Sequence, residues 1–285
     1  MPTTYAHWRF GCECIETLPQ NLKDIVHSYR ELFDIGVHGP DIFFYDLRHK
    51  DVVDYGYQTH YRSGRDFFEN AIRVYKSNSE DKDAMMAYML GFLSHFALDS
   101  QCHGYVDRKK EVSGISHNKV ESEYDAHLMR QEGKAVAKVD RSASLKPDKF
   151  TSKIIARFFP FDEKIMGRTT KWHQMIIRAL VCKSNLKRKT GYSVLEKLKM
   201  PDYRDLIVMP DGLDITKDSN LRLDKLKAHA LIIYPELVDD LMNAIENDAE
   251  LPVYFDHTFE KWEDYQQIPV LSINEELEYK PELRK

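Results

Sequence analysis

The feature that most constrains this chain is the run Ala84-Met85-Met86-Ala87-Tyr88-Met89-Leu90-Gly91-Phe92-Leu93-Ser94-His95-Phe96-Ala97-Leu98. It is apolar almost all round, which a helix tolerates only in the interior of a bundle. It falls short of the ~18 apolar residues needed to cross a membrane, so a buried central helix is expected from Asp81 to about His103. Helical periodicity predicts further helices over Asn21–Phe33, Gly64–Ser77, Asn118–Glu132, Asp148–Phe158, Arg168–Cys182 and Leu221–Asn247. No repeat, low-complexity tract or Ser/Gly-rich linker divides the chain, so residues 1–285 are read as one all-α domain, a single multi-helix bundle. With 12 Gly and 11 Pro in 285 residues, both below the usual ~7% and ~5%, a turn-rich β architecture is disfavoured. Gly36–Asp41 and Lys199–Tyr203 read as ordered loops between helices. From Leu251 onward, prolines, aromatics and acids mix without a helical stripe, which predicts an irregular C-terminal tail running over the surface.

Charge and cysteine usage narrow the classes of function. Lys plus Arg number 41 against 46 for Asp plus Glu, and a formal charge of -5 is a poor footprint for gripping duplex nucleic acid. The basic residues Lys183, Lys187, Arg188 and Lys189 read as a solvated connection. The first ten residues lack a basic region followed by an apolar stretch, so no signal peptide is expected and a cytoplasmic location is. Cys12, Cys14, Cys102 and Cys182 are too few for a disulfide framework and are read as reduced.

The chemistry is carried by histidine. His95, Asp99 and His103 follow at i, i+4 and i+8, which lines all three along one stripe of the central helix. Buried without partners, two imidazoles and a carboxylate would cost several kcal/mol, and a bound cation removes that cost. His117 and Glu121 repeat the i, i+4 spacing on the next helix, an antiparallel neighbour. The resulting pattern, His95-x3-Asp99-x3-His103-x13-His117-x3-Glu121, contains ligand types that suit zinc. Other chemistries lack their letters: there is no His-Glu-x-x-His, no Glu-x-x-His, no His-Asp dipeptide, no Gly-x-Ser-x-Gly and no Gly-x-x-x-x-Gly-Lys.

These five residues, with Ala6-His7-Trp8, Gly39-Pro40-Asp41-Ile42 and His60-Tyr61, resemble the zinc-dependent phospholipase C family, in its bacterial, signal-less branch, and the related three-zinc single-strand nucleases. The resemblance spans roughly residues 1–130, the expected metal-ligand core, leaving 131–285 for helical completion and tail. It implies an all-helical bundle holding two or three Zn²⁺ ions. One zinc would be held by Asp41, His60, His95 and Asp99, a second by His103, His117 and Glu121, and a third by His7 with Asp99 as the bridge. Secreted relatives complete the third site with the amine of the mature first residue. Here removal of Met1 would leave the secondary amine of Pro2 in that place.

Asp46 competes with Asp41 for the upstream carboxylate, but the Gly39-Pro40 turn presents Asp41. His127 is rotated off the ligand face, His38 and His49 are expected as exposed loop residues, and His173, His229 and His257 lie outside the motif region. Cys102 reads as core. Glu123 and Asp125 read as helix-surface acids, with Asp125 also placed to support a ligating histidine. Phe43, Phe44, Tyr45, Tyr55, Tyr57, Tyr61, Phe67 and Phe68 cluster near Asp41 and His60; most should be core, and a few would suit a choline-type head group.

The leading expectation is a metal-dependent hydrolase of phosphodiesters, phospholipase C-like, acting on a small or lipid-derived phosphoester. Asp41 and Asp99 are its candidate catalytic residues. Its rivals are a nuclease or nucleotidase on the same zinc cluster, and a non-catalytic metal-binding protein whose cluster is closed by protein ligands.

Overall fold

The computed structural model describes residues 4–260 and 262–284, and every regular element among them is helical. In chain order these are α1 (Thr4–Thr17), α2 (Gln20–Ser28), α3 (Arg30–Gly36), α4 (Lys50–Tyr61), α5 (Gly64–Ser77), α6 (Lys82–Ser113) and α7 (His117–Gln131). There follow α8 (Lys149–Ala156), α9 (Glu163–Ala179), α10 (Asn185–Lys197), α11 (Pro201–Asp205), α12 (Lys217–Asn247) and α13 (Ile273–Glu278), with short 3₁₀ turns between them. No helix among the described residues is long and apolar enough to cross a membrane.

The apolar run forms the expected central helix. Every residue of α6 from Ala84 to Asp107 is buried, with α1, α3, α5, α7 and α12 packed around it. It ends only at Gly114, in the left-handed region at φ 70°, whose N–H donates to the Lys110 carbonyl. The expected end near His103 was therefore too early: polarity rises there, but the helix continues. Buried Lys109 is satisfied by Asp218 of α12 at 2.6 Å. α3 and α6 come close together at Gly36 and Gly91. A Cβ on Gly91 would fall 2.3 Å from the Phe33 carbonyl oxygen and one on Gly36 2.5 Å from that of Tyr88, so the two backbones meet where neither carries a side chain.

The helix expected over Asn21–Phe33 is two helices, broken at Tyr29, whose backbone (φ -124°, ψ 43°) leaves the helical region. Several helices carry no readable stripe. The buried face of α4 is Val52, Gly56 and His60, only one of them a large hydrophobe, and α10 buries no residue at all. The stretch expected as a loop from Gly36 becomes a fully buried 3₁₀ turn over Gly39–Tyr45. Lys187 and Lys189 belong to α10 rather than to a connection, and Pro201 opens α11 at the position where its missing N–H costs nothing.

The C-terminal tail corrects the sequence reading most. Leu251, Tyr254, Phe255, Phe259 and Tyr265 are buried, the first four of them in the same core cluster as Tyr5, Phe92 and Leu128. α13 is tied in by Glu276, buried against Arg222 of α12 through two hydrogen bonds of 2.7 and 2.8 Å. A fully buried guanidinium is tolerated because its planar fork matches the carboxylate. A second, smaller core joins Phe44 and Tyr45 to Ile177, Leu180, Leu206 and Ile207, so that α9 and α11 wall the 3₁₀ turn.

Candidate metal centre

The stripe on α6 organises the site. His95, Asp99 and His103 project from successive turns, and the Gly36–Gly91 contact brings the turn Gly39–Tyr45 alongside them. Gly39 adopts φ +47°, and any Cβ there would lie 2.3 Å from the His95 ring, so only glycine lets this turn approach. Asp41 Oδ2 then lies 3.8 Å from His95 Nδ1, and Asp41 Oδ1 lies 2.9 Å from Nε2 of His60 on α4. From α1, His7 stacks on His95 with ring centroids 4.3 Å apart and sets Nε2 3.1 Å from Asp99 Oδ1. Asp99 Oδ2 is 3.0 Å from His95 Nε2 and 3.7 Å from His103 Nδ1. The Ser116 hydroxyl caps α7 by accepting from Lys119, which makes His117 the first helical residue. Glu121 Oε1 is 3.1 Å from Nε2 of both His103 and His117.

Four of these rings turn Nδ1 to an acceptor. His60 faces the Gly56 carbonyl at 2.8 Å, His95 the Val37 carbonyl at 3.3 Å, His103 the Phe259 carbonyl, and His117 the Asp107 carboxylate at 3.0 Å. A carbonyl only accepts, so Nδ1 holds the proton of the neutral ring and Nε2 presents a lone pair. Each of those Nε2 atoms faces a carboxylate oxygen within 3.1 Å. Lone pair meets lone pair at each contact unless a proton or a cation lies between.

Electrostatics point the same way. Burial opposes ionisation of Asp99, yet His103, His95 and His7 hold its carboxyl well below the ordinary range. Glu121 is lowered against burial by His117 and His103, and Asp41 by His95 and His60. Burial alone would neutralise His103 and His117, but the facing carboxylates raise both. His7 Nδ1, Asp41 Oδ2, His95 Nε2, Asp99 Oδ2 and Glu121 Oε2 are buried and make no hydrogen bond. Such orphans are rare in proteins and call for an ion or water. Three sets of donor atoms each lie within 4.8 Å of one another: His7, His95 and Asp99; Asp41, His60 and His95; and His103, His117 and Glu121. The donor set suits zinc. A cavity of ≈ 20 Å³, about the room one water needs, lies against His7, Asp99, His103 and Glu121.

Residues 6–168, more than half of the chain, match the family described as zinc dependent phospholipase C. The chain belongs to that family. Searches of curated proteins and of solved structures find no match.

All eight residues singled out from this zinc-dependent phospholipase C pattern thus lie in one connected cluster. Its grouping differs from the expected one in two respects: Asp99 does not join the set of Asp41, His60 and His95, and His95 instead links that set to the one of His7 and Asp99. The Pro2 amine lies outside the described residues. Asp46 is buried away from the cluster, paired with His49 at 2.8 Å and Arg168 at 2.7 Å. His127 pairs with Asp224 at 2.9 Å.

Other expectations fail. His38 is not exposed but wholly buried, with neither ring nitrogen hydrogen-bonded, because its turn is wedged beneath α9. His173 of α9 is buried with it, stacked on Tyr45 at 4.2 Å. Glu123 and Asp125 are not surface acids. Glu123 is fully buried 3.0 Å from Lys119, and Asp125 accepts from the Tyr5 and Ala6 amides and from Arg141, which anchors the helix start beside His7. Asp107 was missed although it continues the same stripe one turn beyond His103, a legible signal. The contribution of Phe259 carries none, being made by a main-chain carbonyl.

Proposed function

We propose that this protein hydrolyses phosphoester bonds of the phospholipase C type, with a small or lipid-derived phosphodiester as substrate and zinc held by His7, Asp41, His60, His95, Asp99, His103, His117 and Glu121. The observation that carries this reading is the convergence of five imidazoles and three carboxylates, with Nε2 atoms facing carboxylate oxygens and several buried donor atoms left without a hydrogen bond, an arrangement that bound divalent ions would satisfy. Zinc, when bound, lowers the pKa of water toward ~7 and offsets charge building on phosphoryl oxygens.

The remaining work falls to the chain. Asp99, between His7 and His95 and close to His103, is positioned to bridge ions, and its low pKa keeps it anionic. Asp41 keeps Oδ2 free of hydrogen bonds, so besides ligation it can orient the attacking water or accept its proton. His117, with its side chain 15% exposed against 4% or less for the other four histidines, marks the open end where substrate would enter. Tyr57, near enough to Asp202 and Glu260 to feel both carboxylates, would supply the aromatic and acidic surroundings that suit a cationic head group.

The test is zinc content alongside turnover of a phosphocholine ester, a simple phosphodiester and single-stranded DNA, for wild type and Asp99→Asn. The reading expects bound zinc, turnover of an ester in wild type, and loss of metal with at least a hundredfold loss of turnover in the variant. Retained metal and full activity in Asp99→Asn would refute the site. The near-complete burial of the cluster favours one alternative, a non-catalytic metal centre, which tight zinc with no turnover of any of the three substrates would establish.

A further inference from the structure

The C-terminal segment has no part in the family match, which ends at residue 168, yet it lies against the candidate metal centre. Phe259 is wholly buried and reaches three of the histidines at once. Its carbonyl accepts from His103 Nδ1, its N–H donates to the His60 carbonyl at 3.2 Å, and its ring packs against those of His95 at 5.8 Å and His60 at 6.0 Å. The segment is fastened on both sides of this residue. Tyr254 Oη lies 2.8 Å from Ser100 Oγ and accepts from Gln101 at 2.8 Å. The Phe255 carbonyl accepts from Ser63, the His257 carbonyl from the Gly64 amide, and Trp262 Nε1 donates to the Ser100 carbonyl at 2.8 Å. These ties run to α6 and to the start of α5, so Phe259 is held by the scaffold rather than by the histidines it touches.

We propose that the segment Tyr254–Glu260 is a positioning strap for the metal centre, acting through Phe259 to set the orientation of His103 and the backbone of His60 before any ion arrives. The inference rests on the reading of the cluster as a metal site. The physical reason is ring rotation. An imidazole on a helix can swing about its last side-chain bond, and only the partner on Nδ1 decides where Nε2 points. His60 and His117 have that partner on their own or the adjoining helix, in Gly56 and Asp107. His103 takes it from a carbonyl 156 residues away in sequence. Loss of such a partner weakens metal binding by about 10–100-fold. The effect should be greatest on the ion held by His103, His117 and Glu121, and smaller on the side of Asp41, His60 and His95, where Phe259 contributes ring packing and a backbone hydrogen bond rather than an Nδ1 partner.

The experiment loads the full-length protein with Co²⁺ after metal removal and follows its visible absorption during chelator competition, for wild type, Phe259→Ala, Phe259→Leu and Leu237→Ala. Leu237 is a buried core residue of α12 and reports destabilisation alone. Phe259→Ala keeps the main-chain carbonyl but removes the buried ring that seats it. The expected result is therefore an ion weakened more than twofold, up to the about 10–100-fold of losing the partner outright, with an altered spectrum, a smaller loss in Phe259→Leu, and wild-type affinity in Leu237→Ala. Affinity within twofold of wild type in the Phe259 variants, or an equal loss in Leu237→Ala, overturns the strap while leaving the metal site standing. Should Phe259→Ala not fold, Phe259→Leu is judged by the same two criteria. A wild type that binds no Co²⁺ or Zn²⁺ overturns the strap and the metal site together.

Discussion

Asp125 shows how much of the centre depends on residues that touch none of its donors. Its carboxylate takes the Ala6 amide at 2.8 Å and the Tyr5 amide at 3.3 Å, fixing the first turn of α1, and it neutralises Arg141 in a wholly buried pair. His7 is carried on that turn. Asp125→Ala should therefore cost about 3–5 kcal/mol, because it strands a buried guanidinium, and should also reduce metal retained at His7. Chemical denaturation and metal analysis of the variant check both effects; unchanged stability would show that Arg141 finds another partner. Gly39 is the second such residue. Gly39→Ala places a methyl 2.3 Å from the His95 ring and forces a left-handed backbone that costs about 1–2 kcal/mol, so displaced His95 and weakened metal binding are expected, read out by cobalt absorption. Neither role is legible in the sequence. Asp125 looks like one acid among several on a polar helix, and Gly39 like ordinary turn punctuation.

Among the elements, the α3–α6 contact sets the approach of the Asp41 turn to the histidine stripe. Because Gly91 meets the Phe33 main chain rather than a movable side chain, Gly91→Ala cannot be absorbed by a rotamer change. A loss of at least the ~1–3 kcal/mol typical of overpacking is expected in urea unfolding of the metal-free protein. Stability within 0.5 kcal/mol of wild type would mean that the helices separate at little cost. α6 was legible because its apolar run leaves no other fold for it, and α5 because Phe67, Phe68 and Ala71 repeat at helical spacing. α4 was not, since a face made of Val52, Gly56 and His60 acquires meaning only once Phe43 and Asp41 are packed on it.

For the molecule as a whole, burial of neutral histidines ties stability to pH. His173 is wholly buried, with His38, Asp41, His7 and Arg141 as its charged or titratable neighbours, and burial pushes its pKa down to about 3. His38 shifts the same way, through burial and the adjacent histidines. A histidine whose folded pKa lies below its ordinary value of 6.5 binds fewer protons folded than unfolded. Its stabilising effect is present above pH 6.5 and is lost as pH falls toward 3, by up to about 1.4 kcal/mol per pH unit for each residue. His7, His103 and His117 shift oppositely in the metal-free protein, so His173 must be isolated by difference. With metal removed, the stability of wild type relative to His173→Phe should fall by about 2 kcal/mol between pH 6.5 and pH 5. A constant difference across that window would show that His173 is not held neutral.

What the sequence by itself determined is local and periodic. Side chains four apart share a helix face whatever surrounds them, so His95, Asp99 and His103, and likewise His117 and Glu121, had to point together, and the apolar run around the first set had to be inside. What only the tertiary structure decided is which distant groups close the cluster. The Phe259 carbonyl on His103, the Arg141–Asp125 pair behind His7 and the burial of His38 and His173 all depend on how helices dock, and docking is set by the summed shape of many side chains rather than by any spacing along the chain.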